Sequence, residues 1–470
     1  MNYYYSILIG LLILCFGGYA QEKPKNVIWL IAEDLSNDLG CYGNGLVHTP
    51  NLDGLAKQGV RFTHTFATGA VCTPSRTAFS TGMYQTSINA HHMRYPNSLK
   101  NELPEGVLTL NELMRRNGVQ TANIRNSYGN AKTDWSYKSK GSHFDYSKWD
   151  QINPDKPFFA VVNFHLTHRK FVRTPDRPVD QNRINLPPYY PDREPVREDW
   201  AAYYESIQKL DRLIGNALAD IRSRGLDENT VIVFFADHGR PMTRAKMFNY
   251  DSGLQVPMIV VGADGITDSN VYPELVSLID LTATTLDIAG VEVPKTMQGR
   301  SFYHANGKEL RKAVYSASDR IGGTNLKSRS VRTSQFRYIR NYHHDLSVNE
   351  AATAYRKANH PIYHVLKELG KRGELSPIQE ALIKPMPEEE LYDIVNDPYE
   401  TNNLISDKKY VKIAKKLRKQ LADWQKETID YGMMKDSESI VNAFEQYRSK
   451  SAANYKQKQE NLRTYVLEKL

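Results

Sequence analysis

Cysteine and long apolar segments are both scarce in this sequence. The 470 residues include three cysteines, which excludes a small scaffold held together by several disulfides. The apolar run at residues 7–16 is too short to span a bilayer, and Gly18-Tyr19-Ala20 after it is an acceptable cleavage site. Residues 1–20 are therefore predicted to be a signal peptide. The mature protein is expected in the periplasm or outside the cell, without a membrane anchor.

Positive charge is only moderately in excess in this sequence. The formal net charge is +8 and the isoelectric point is near 9.0, which suits an acidic substrate or a nucleic acid. Because the lysines and arginines are scattered, apart from a basic C-terminal tail, we predict no nucleic-acid partner. The length is sufficient for two or three average domains, or for one large α/β domain with an appendage.

The pattern of apolar residues predicts an α/β fold. Residues 27–32 and 230–236 are continuous apolar runs, typical of strands that are covered on both faces. Three later segments alternate like antiparallel strands, namely residues 314–318, 328–332 and 336–341. We predict a catalytic domain, residues 21–310, with a large, mixed, mostly parallel sheet sandwiched by helices. Residues 311–470 would form a smaller C-terminal subdomain with an antiparallel sheet and helices.

Two of the longer helices can be placed from the sequence. Residues 200–224 are amphipathic and are closed by a glycine, after a Pro-rich segment, residues 186–199, that is typical of a surface loop beside a cleft. Residues 275–289 have the apolar spacing of another helix. The charged, periodic tail is expected to be helical and to serve packing or a subunit contact.

Acidic side chains follow two of the buried strands. Glu33 and Asp34 follow the first apolar run, and Asp237 and His238 follow the run at 230–236. Ligands of open α/β sheets bind outside the carboxyl ends of the strands. Adjacent carboxylates are costly unless a positive charge lies between them, and a divalent cation supplies one. These four residues are candidate metal ligands, although Asp237 and His238 alone could also form an ordinary turn.

Residues 71–84, VCTPSRTAFSTGMY, contain the most informative pattern. Pro74 and Ser75 end any strand and begin a helix, so Cys72 should lie at or just before a helix N-terminus. That end is electropositive, and Arg76 adds to it, so the position suits a nucleophile that meets an anionic substrate. On this pattern alone, Cys72 could equally be a buried apolar residue in a helix cap.

The segment from Cys72 to Arg76, followed by Thr81-Gly82, resembles the modification signature of the formylglycine-dependent sulfatases, and other family elements follow in order along most of the chain. The resemblance implies an alkaline-phosphatase-like fold and a Cys72 that is oxidised to formylglycine by a formylglycine-generating or sulfatase-maturating enzyme. It also implies one Ca²⁺ ion bound near this side chain, with position 72 among its ligands. Glu33 and His238 depart from the usual aspartate and asparagine.

The resemblance assigns further catalytic residues. Lys132 and Lys246 would bind the sulfate, and His168 would be the general acid beside the leaving oxygen. Asp134 stands where the family has a histidine, and a carboxylate next to a lysine would be a weaker base than imidazole. A rival assignment uses Lys140 and His143, with a spacing one residue too long. His165 is expected to be a hydrogen-bonded core residue.

Candidate substrate-binding residues are less specific. Three of them lie close together in the sequence, and two lie between predicted C-terminal strands: His91, His92, Arg94, Asp319 and Arg320. Paired histidines are also common on surface loops, and the Asp-Arg pair could equally be a surface ion pair.

The predicted function is the hydrolysis of sulfate esters of a sulfated polysaccharide or oligosaccharide. The resemblance implies that a hydroxyl of hydrated formylglycine 72 attacks sulfur, that His168 protonates the departing sugar, and that the second hydroxyl expels sulfate. Two alternatives remain open: a phosphodiesterase or phosphotransferase on the same fold, and a non-catalytic glycan-binding relative.

Overall fold

The computed structural model describes residues 25–138, 141–305 and 310–470. The predicted signal peptide lies outside these residues. Within them, no helix combines the length and the apolar character that crossing a membrane requires.

The larger sheet has seven strands. They are β1 (Asn26–Ala32), β2 (Val60–Phe66), β3 (Gln120–Ile124), β4 (Phe158–Phe164), β5 (Thr230–Ala236), β6 (Gln255–Val261) and β7 (Val271–Ser277). Their spatial order is β3-β4-β1-β5-β6-β2-β7. β6 runs antiparallel to both of its neighbours, and the other neighbouring pairs are parallel. The predicted mixed, mostly parallel sheet is confirmed.

Helices cover this sheet. They are α1 (Pro50–Gln58), α2 (Cys72–Thr81), α3 (Leu110–Arg116), α4 (Glu194–Ser223), α5 (Asp251–Leu254) and α6 (Leu278–Ile288). Consecutive residues of β1 point to opposite faces, and residues 27–32 are all buried, so both faces of the sheet are covered. On one face, Trp29 of β1 donates to Thr285 Oγ1 of α6 at 3.1 Å and meets Phe79 of α2 edge to face. These contacts fix α2, which begins at Cys72, against the sheet.

A second, antiparallel sheet lies in the C-terminal part of the chain. Its strands are β8 (Val314–Ile321), β9 (Thr324–Arg332), β10 (Phe336–Asn341) and β11 (Glu389–Asp393), in the order β11-β10-β9-β8. The later helices are α7 (Ala354–Lys357), α8 (Pro361–Arg372), α9 (Pro377–Glu380), α10 (Val411–Glu427) and α11 (Glu438–Lys469). The predicted second sheet is confirmed, whereas the boundaries 21–310 and 311–470 stay a prediction.

Two element boundaries differ from the sequence-based expectation. The helix predicted at 200–224 begins earlier, at Glu194, because Pro195 is compatible with the first helical turn and does not end the helix. The Pro-rich loop is correspondingly shorter. The helix predicted at 275–289 begins at Leu278, because the preceding residues form β7, a strand paired with β2.

Candidate active site

The two acidic strand ends meet at one edge of the larger sheet. β1 and β5 are parallel neighbours in which Ala32 is opposite Ala236, so the residues after both strands leave the sheet side by side. The backbone N–H of Asp34 donates to Asp237 Oδ1 at 3.0 Å across this edge. Both carboxylates are buried, so their charges interact with little screening by water.

Cys72 lies above this edge at the start of α2. Its side chain is 2% exposed. The Sγ atom is 3.3 Å from His238 Nε2, 3.5 Å from Lys246 Nζ and 3.7 Å from Asp34 Oδ1. The position at the first residue of the helix confirms the expectation from Pro74. The residue is therefore surrounded by ionisable groups, unlike an inert cysteine packed in an apolar core.

Four side chains converge as a metal centre would require. Asp34, Cys72, Asp237 and His238 each offer a ligand atom, and these atoms lie within 4.8 Å of one another. His238 Nδ1 donates to the carbonyl of Gly239 at 2.9 Å, which leaves Nε2, 3.0 Å from Asp34 Oδ1, as the ring nitrogen that faces the carboxylates. Two carboxylates and one imidazole suit a hard divalent cation.

The third acidic candidate, Glu33, points to a different partner. Its Oε2 lies 3.1 Å from Lys132 Nζ, and it is not part of the converging group. Burial opposes ionisation of Asp34, but Lys246, His168 and His238 hold the pKa of its carboxyl well below the usual value. The acid that faces Cys72 is therefore ionised, as cation binding requires.

Positive side chains flank the same group. Arg76 Nε donates to Asp237 Oδ2 at 2.9 Å, and its Nη1 donates to Asn163 Oδ1 at 2.7 Å. Its remaining terminal nitrogen, Nη2, is buried and has no hydrogen-bond partner among the described residues. Lys246 Nζ lies 2.6 Å from Asp34 Oδ2 and lies between that carboxylate and Cys72. These donors can bind the oxygens of a tetrahedral anion.

His168 follows β4 and faces the acidic edge from the other side. Its Nδ1 donates to the carbonyl of Arg169 at 2.7 Å, and its Nε2 lies 4.0 Å from Asp34 Oδ2. The carboxylate favours the protonated ring, but Lys246 and burial outweigh it and lower the pKa of His168 below the usual value. His165, in contrast, is exposed, so the expectation of a core residue was wrong: it follows the last residue of the strand.

Lys132 and Asp134 lie beside the nucleophile position. Asp134 Oδ1 accepts a hydrogen bond from Thr73 Oγ1 at 2.8 Å, and its Oδ2 lies 3.6 Å from Lys132 Nζ. In the rival assignment, Lys140 is outside the described residues and His143 packs edge-on against Trp135. The geometry therefore favours the assignment that includes Asp134.

The five candidate substrate residues divide into two groups. Arg94 lines a cavity of about 70 Å³ together with Asp34, His168 and Lys246. The other four do not line it, and all of them except His91 pair with polar or charged groups of the protein. His92 donates from Nε2 to Asp436 at 3.0 Å and accepts at Nδ1 from the backbone of Arg320, whose side chain also binds Asp436 at 2.6 Å.

The remaining two residues of this set, His91 and Asp319, are buried. Asp319 pairs with Arg329 at 3.1 Å. Burial, His92 and Arg329 hold the pKa of His91 well below its usual value, so its ring is neutral. Their predicted role in substrate binding stays a prediction, but their observed contacts are structural.

Sequence reasoning missed several residues that line the cavity. They come from the C-terminal half of the chain and include Thr353, Tyr355, Arg356, Tyr447 and Ser451. Tyr447 receives a hydrogen bond from Arg94 Nη1 at 2.7 Å, across 353 positions in sequence. The local sequence indicates only helices here, so no local signal could have found these residues.

The fold is of the alkaline-phosphatase-like class. A solved structure, of a protein in complex with its substrate D-glucosamine-2-N,6-O-disulfate, matches with a TM-score of 0.65. The match covers 88% of this chain and 100% of that chain at 18% identity, and at this identity it shows the fold.

The sequence comparisons identify the family. The profile of the family named Sulfatase matches residues 25–291, and that of the C-terminal part of N-sulphoglucosamine sulphohydrolase matches residues 242–362. An ulvan-active sulfatase of Formosa agariphila is 32% identical over 471 residues, which cover 89% of this chain and 77% of that protein. Human N-sulphoglucosamine sulphohydrolase is 28% identical over 473 residues, covering 88% and 92%. The chain belongs to the sulfatase family and is a sulfuric ester hydrolase, as the sequence predicted.

Proposed function

We propose that this sulfatase removes sulfate from a sulfated oligosaccharide or polysaccharide through a formylglycine made from Cys72. The observation that carries the proposal is the position of Cys72 Sγ within 3.7 Å of Lys246, His238 and Asp34. A nucleophile at this point would meet the sulfate between a cation site and fixed positive side chains.

The donor set fits one divalent cation, and we propose Ca²⁺, held by Asp34, Asp237, His238 and the converted side chain at 72. Two carboxylates supply hard oxygen ligands whose negative charge a dication would balance, and an imidazole adds one nitrogen ligand. Glu33 would complete this set after a rearrangement away from Lys132. A bound cation would orient and acidify the attacking hydroxyl and polarise the sulfate oxygens.

Conversion of Cys72 would supply two hydroxyls on one carbon, one to attack sulfur and one to release sulfate without a separate attack by water. The protein's own residues would then neutralise the charge of the sulfate and transfer the proton. Arg76, Lys132 and Lys246 would neutralise the sulfate oxygens, which otherwise repel a nucleophile. The negative charge of a bound sulfate would favour the protonated ring of His168, and Nε2 would then pass a proton to the oxygen of the departing sugar. Asp134 would keep Thr73 and Lys132 in place.

The substrate proposal is supported by the relatives. One is named as active on ulvan and another as an N-sulphoglucosamine sulphohydrolase, and both names describe sulfated sugars. We propose an O-sulfate ester on a sugar at or near a chain end, with an N-sulfate as the alternative. Export to the periplasm or the medium fits such a substrate. A mature protein that starts at residue 21 in that fraction would support export, and an uncleaved protein in the cytoplasm would contradict it.

The nucleophile is tested by producing the protein with and without a formylglycine-generating enzyme. Peptide mass spectrometry should find the aldehyde at position 72, and sulfate release should depend on the conversion. Cys72→Ala should abolish activity, and Cys72→Ser should do so in a host that cannot convert serine. Cys41→Ser is the matched control, because Cys41 belongs neither to the converging ligand group nor to the cavity lining, and it should keep full activity.

The substrates in this test are para-nitrophenyl sulfate, ulvan fragments and glycosaminoglycan fragments. Full activity of the Cys72→Ala protein would end the proposal. Turnover of bis(para-nitrophenyl) phosphate without any sulfate release would favour the phosphodiesterase alternative. Glycan binding without turnover by the converted protein would favour a non-catalytic role.

The cation is tested apart from activity. Calorimetry on the Cys72→Ala protein should detect one Ca²⁺ site, and Asp237→Asn should weaken it, because a carboxylate ligand is replaced by a neutral amide. Asp319→Asn is the control, because that buried carboxylate pairs with Arg329 away from the site. Equal Ca²⁺ affinity in all three proteins would contradict the assigned ligands, and tighter binding of Mg²⁺ would contradict the assigned ion.

A further inference from the structure

A larger groove adjoins the catalytic cavity. This groove, of about 500 Å³, lies between the β8–β9 turn, the segment 343–354 and α11. Gly322 and Thr353 line both the groove and the catalytic cavity, so the two spaces adjoin at these residues. None of the residues assigned to the nucleophile or the cation lines the groove.

The two volumes indicate that different parts of the substrate bind in the two spaces. Sites for ligands larger than a simple ion occupy roughly 300–1,000 Å³. The catalytic cavity, at about 70 Å³, has room for a sulfate group and little of a sugar chain. The adjoining groove, at about 500 Å³, has the size of a site for further sugar units.

One of the two residues that line both spaces is a glycine. Gly322 has a φ of +56°, which favours glycine, and it lies in the turn between β8 and β9. A Cβ at this position would lie 2.9 Å from Thr353 Cγ2 and 3.8 Å from a ring carbon of Tyr447. A side chain at position 322 would therefore crowd Thr353, the other residue that both spaces share.

The side chains of the groove suit a sulfated sugar. Lys357 and Lys456 line it, and neither forms an ion pair with any carboxylate in the described part of the chain. Lys357 lies over the ring of Tyr363, with Nζ at 5.5 Å from its centre. Ammonium groups without a carboxylate partner can bind sulfate oxygens on neighbouring sugars.

Acidic side chains also line the groove, and they divide into two kinds. Glu445 pairs with Arg448 at 2.9 Å, and Glu460 lies 3.5 Å from Arg463, so both are largely compensated. Asp345 and Glu350 are exposed. Glu350 Oε2 accepts hydrogen bonds from Ser347, and the other oxygens of the two carboxylates can receive hydrogen bonds from sugar hydroxyls. A partner with both hydroxyl donors and anionic groups matches this lining, whereas a purely anionic ligand would be repelled by the two carboxylates.

We propose that this groove binds the sugar units next to the one that carries the scissile sulfate, so that the enzyme acts on a sulfated oligosaccharide or polymer in preference to a monosaccharide. The inference rests on the proposed function. It adds a preference for substrates of more than one sugar unit and names the residues that would bind the additional units. Lys357 and Lys456 would contact anionic groups of the neighbouring sugars, and they take no part in bond cleavage.

The test compares substrates of increasing length on the converted enzyme. Para-nitrophenyl sulfate is the short probe, and ulvan disaccharides, tetrasaccharides and hexasaccharides form the series. The wild-type kcat/KM should rise with length. A Lys357→Ala/Lys456→Ala double variant should lower kcat/KM for the tetrasaccharide about tenfold, mainly through KM, because two ammonium contacts are lost. Its activity on para-nitrophenyl sulfate should be unchanged.

The matched control is a Lys412→Ala/Lys450→Ala double variant. It removes the same charge from exposed positions that do not line the groove, and it should resemble the wild type on every substrate. Binding of the tetrasaccharide to Cys72→Ala protein should weaken in the groove variant and at raised salt. This measurement needs no turnover and also separates a folding defect from a binding defect, because melting is followed on the same samples.

The outcomes distinguish the two proposals. No dependence on chain length, or equal losses for the groove variant and the control, would overturn the groove inference while leaving the sulfatase proposal intact. Failure of the converted enzyme to release sulfate from any probe would overturn the proposed function. Tetrasaccharide binding to the Cys72→Ala protein that still depends on Lys357 and Lys456 would then support the groove on its own.

Discussion

Replacement of His168 by glutamine should separate its role as an acid from a role in binding sulfate. His168 Nδ1 is committed to the carbonyl of Arg169, so Nε2 is the one ring nitrogen that can deliver a proton into the site. Glutamine places an amide at a similar reach but cannot transfer a proton. The leaving oxygen of a sugar needs that proton, whereas para-nitrophenolate leaves without it.

The expected loss follows from this geometry. Positioned general acids contribute about 10²–10⁴-fold, or about 2.7–5.4 kcal/mol of the barrier. The whole of this contribution should vanish for a sulfated sugar, because no second ring nitrogen can replace Nε2. For para-nitrophenyl sulfate, the His168→Gln variant should lose less than about tenfold.

The assay measures kcat/KM of the converted enzyme on both substrates. His165→Gln is the control, because that ring is exposed three residues earlier and should not affect either rate. Equal losses on the two substrates would refute the reasoning, since they would show that His168 stabilises the sulfate in the transition state and does not protonate the leaving group.

Two further predictions concern stability. Gly82→Ala should destabilise the protein more than Gly118→Ala in urea unfolding, by about 1 kcal/mol. Both glycines have a left-handed φ, but only at Gly82 would a Cβ meet a neighbour, Met297 Sδ at 2.5 Å; equal losses would contradict this. Burial and Asp251 raise the pKa of Glu400 to about 7. The folded state therefore holds this proton more tightly than the unfolded state, and this contribution to stability, at most about 3 kcal/mol, is lost as the pH rises from about 4.5 to 7. Glu400→Gln should remove that part of the pH dependence of the unfolding midpoint, and an unchanged profile would contradict the assignment.

The central strands and the nucleophile could be predicted because their signals are local. Thr230–Ala236 was predicted with the bounds that the structure has, since a strand buried on both faces must be continuously apolar and must end at the first charged residue. The start of α2 followed from Pro74 in the same way. The helix start at Glu194 was missed because a proline is compatible with the first turn of a helix as well as with a loop.

The wall of the cavity could not be predicted, for a different reason. Tyr447 and Ser451 belong to α11, whose sequence is charged and indicates only a helix. Their place beside Arg94 depends on contacts across more than three hundred residues. The pairing of Asp436 with His92, across 344 positions, is of the same kind. Such contacts leave no periodicity or spacing in a single sequence.

The position of α11 has a consequence for how the substrate specificity of such an enzyme could evolve. The reacting groups stand on the edge of the large sheet, while the last helix of the chain supplies one side of the entrance and rests on α4, α7 and α8. Substitutions on the exposed turns of that helix could remodel the entrance while the sheet edge stays untouched. Selection could then change the sugar preference without altering the residues that cleave the sulfate ester.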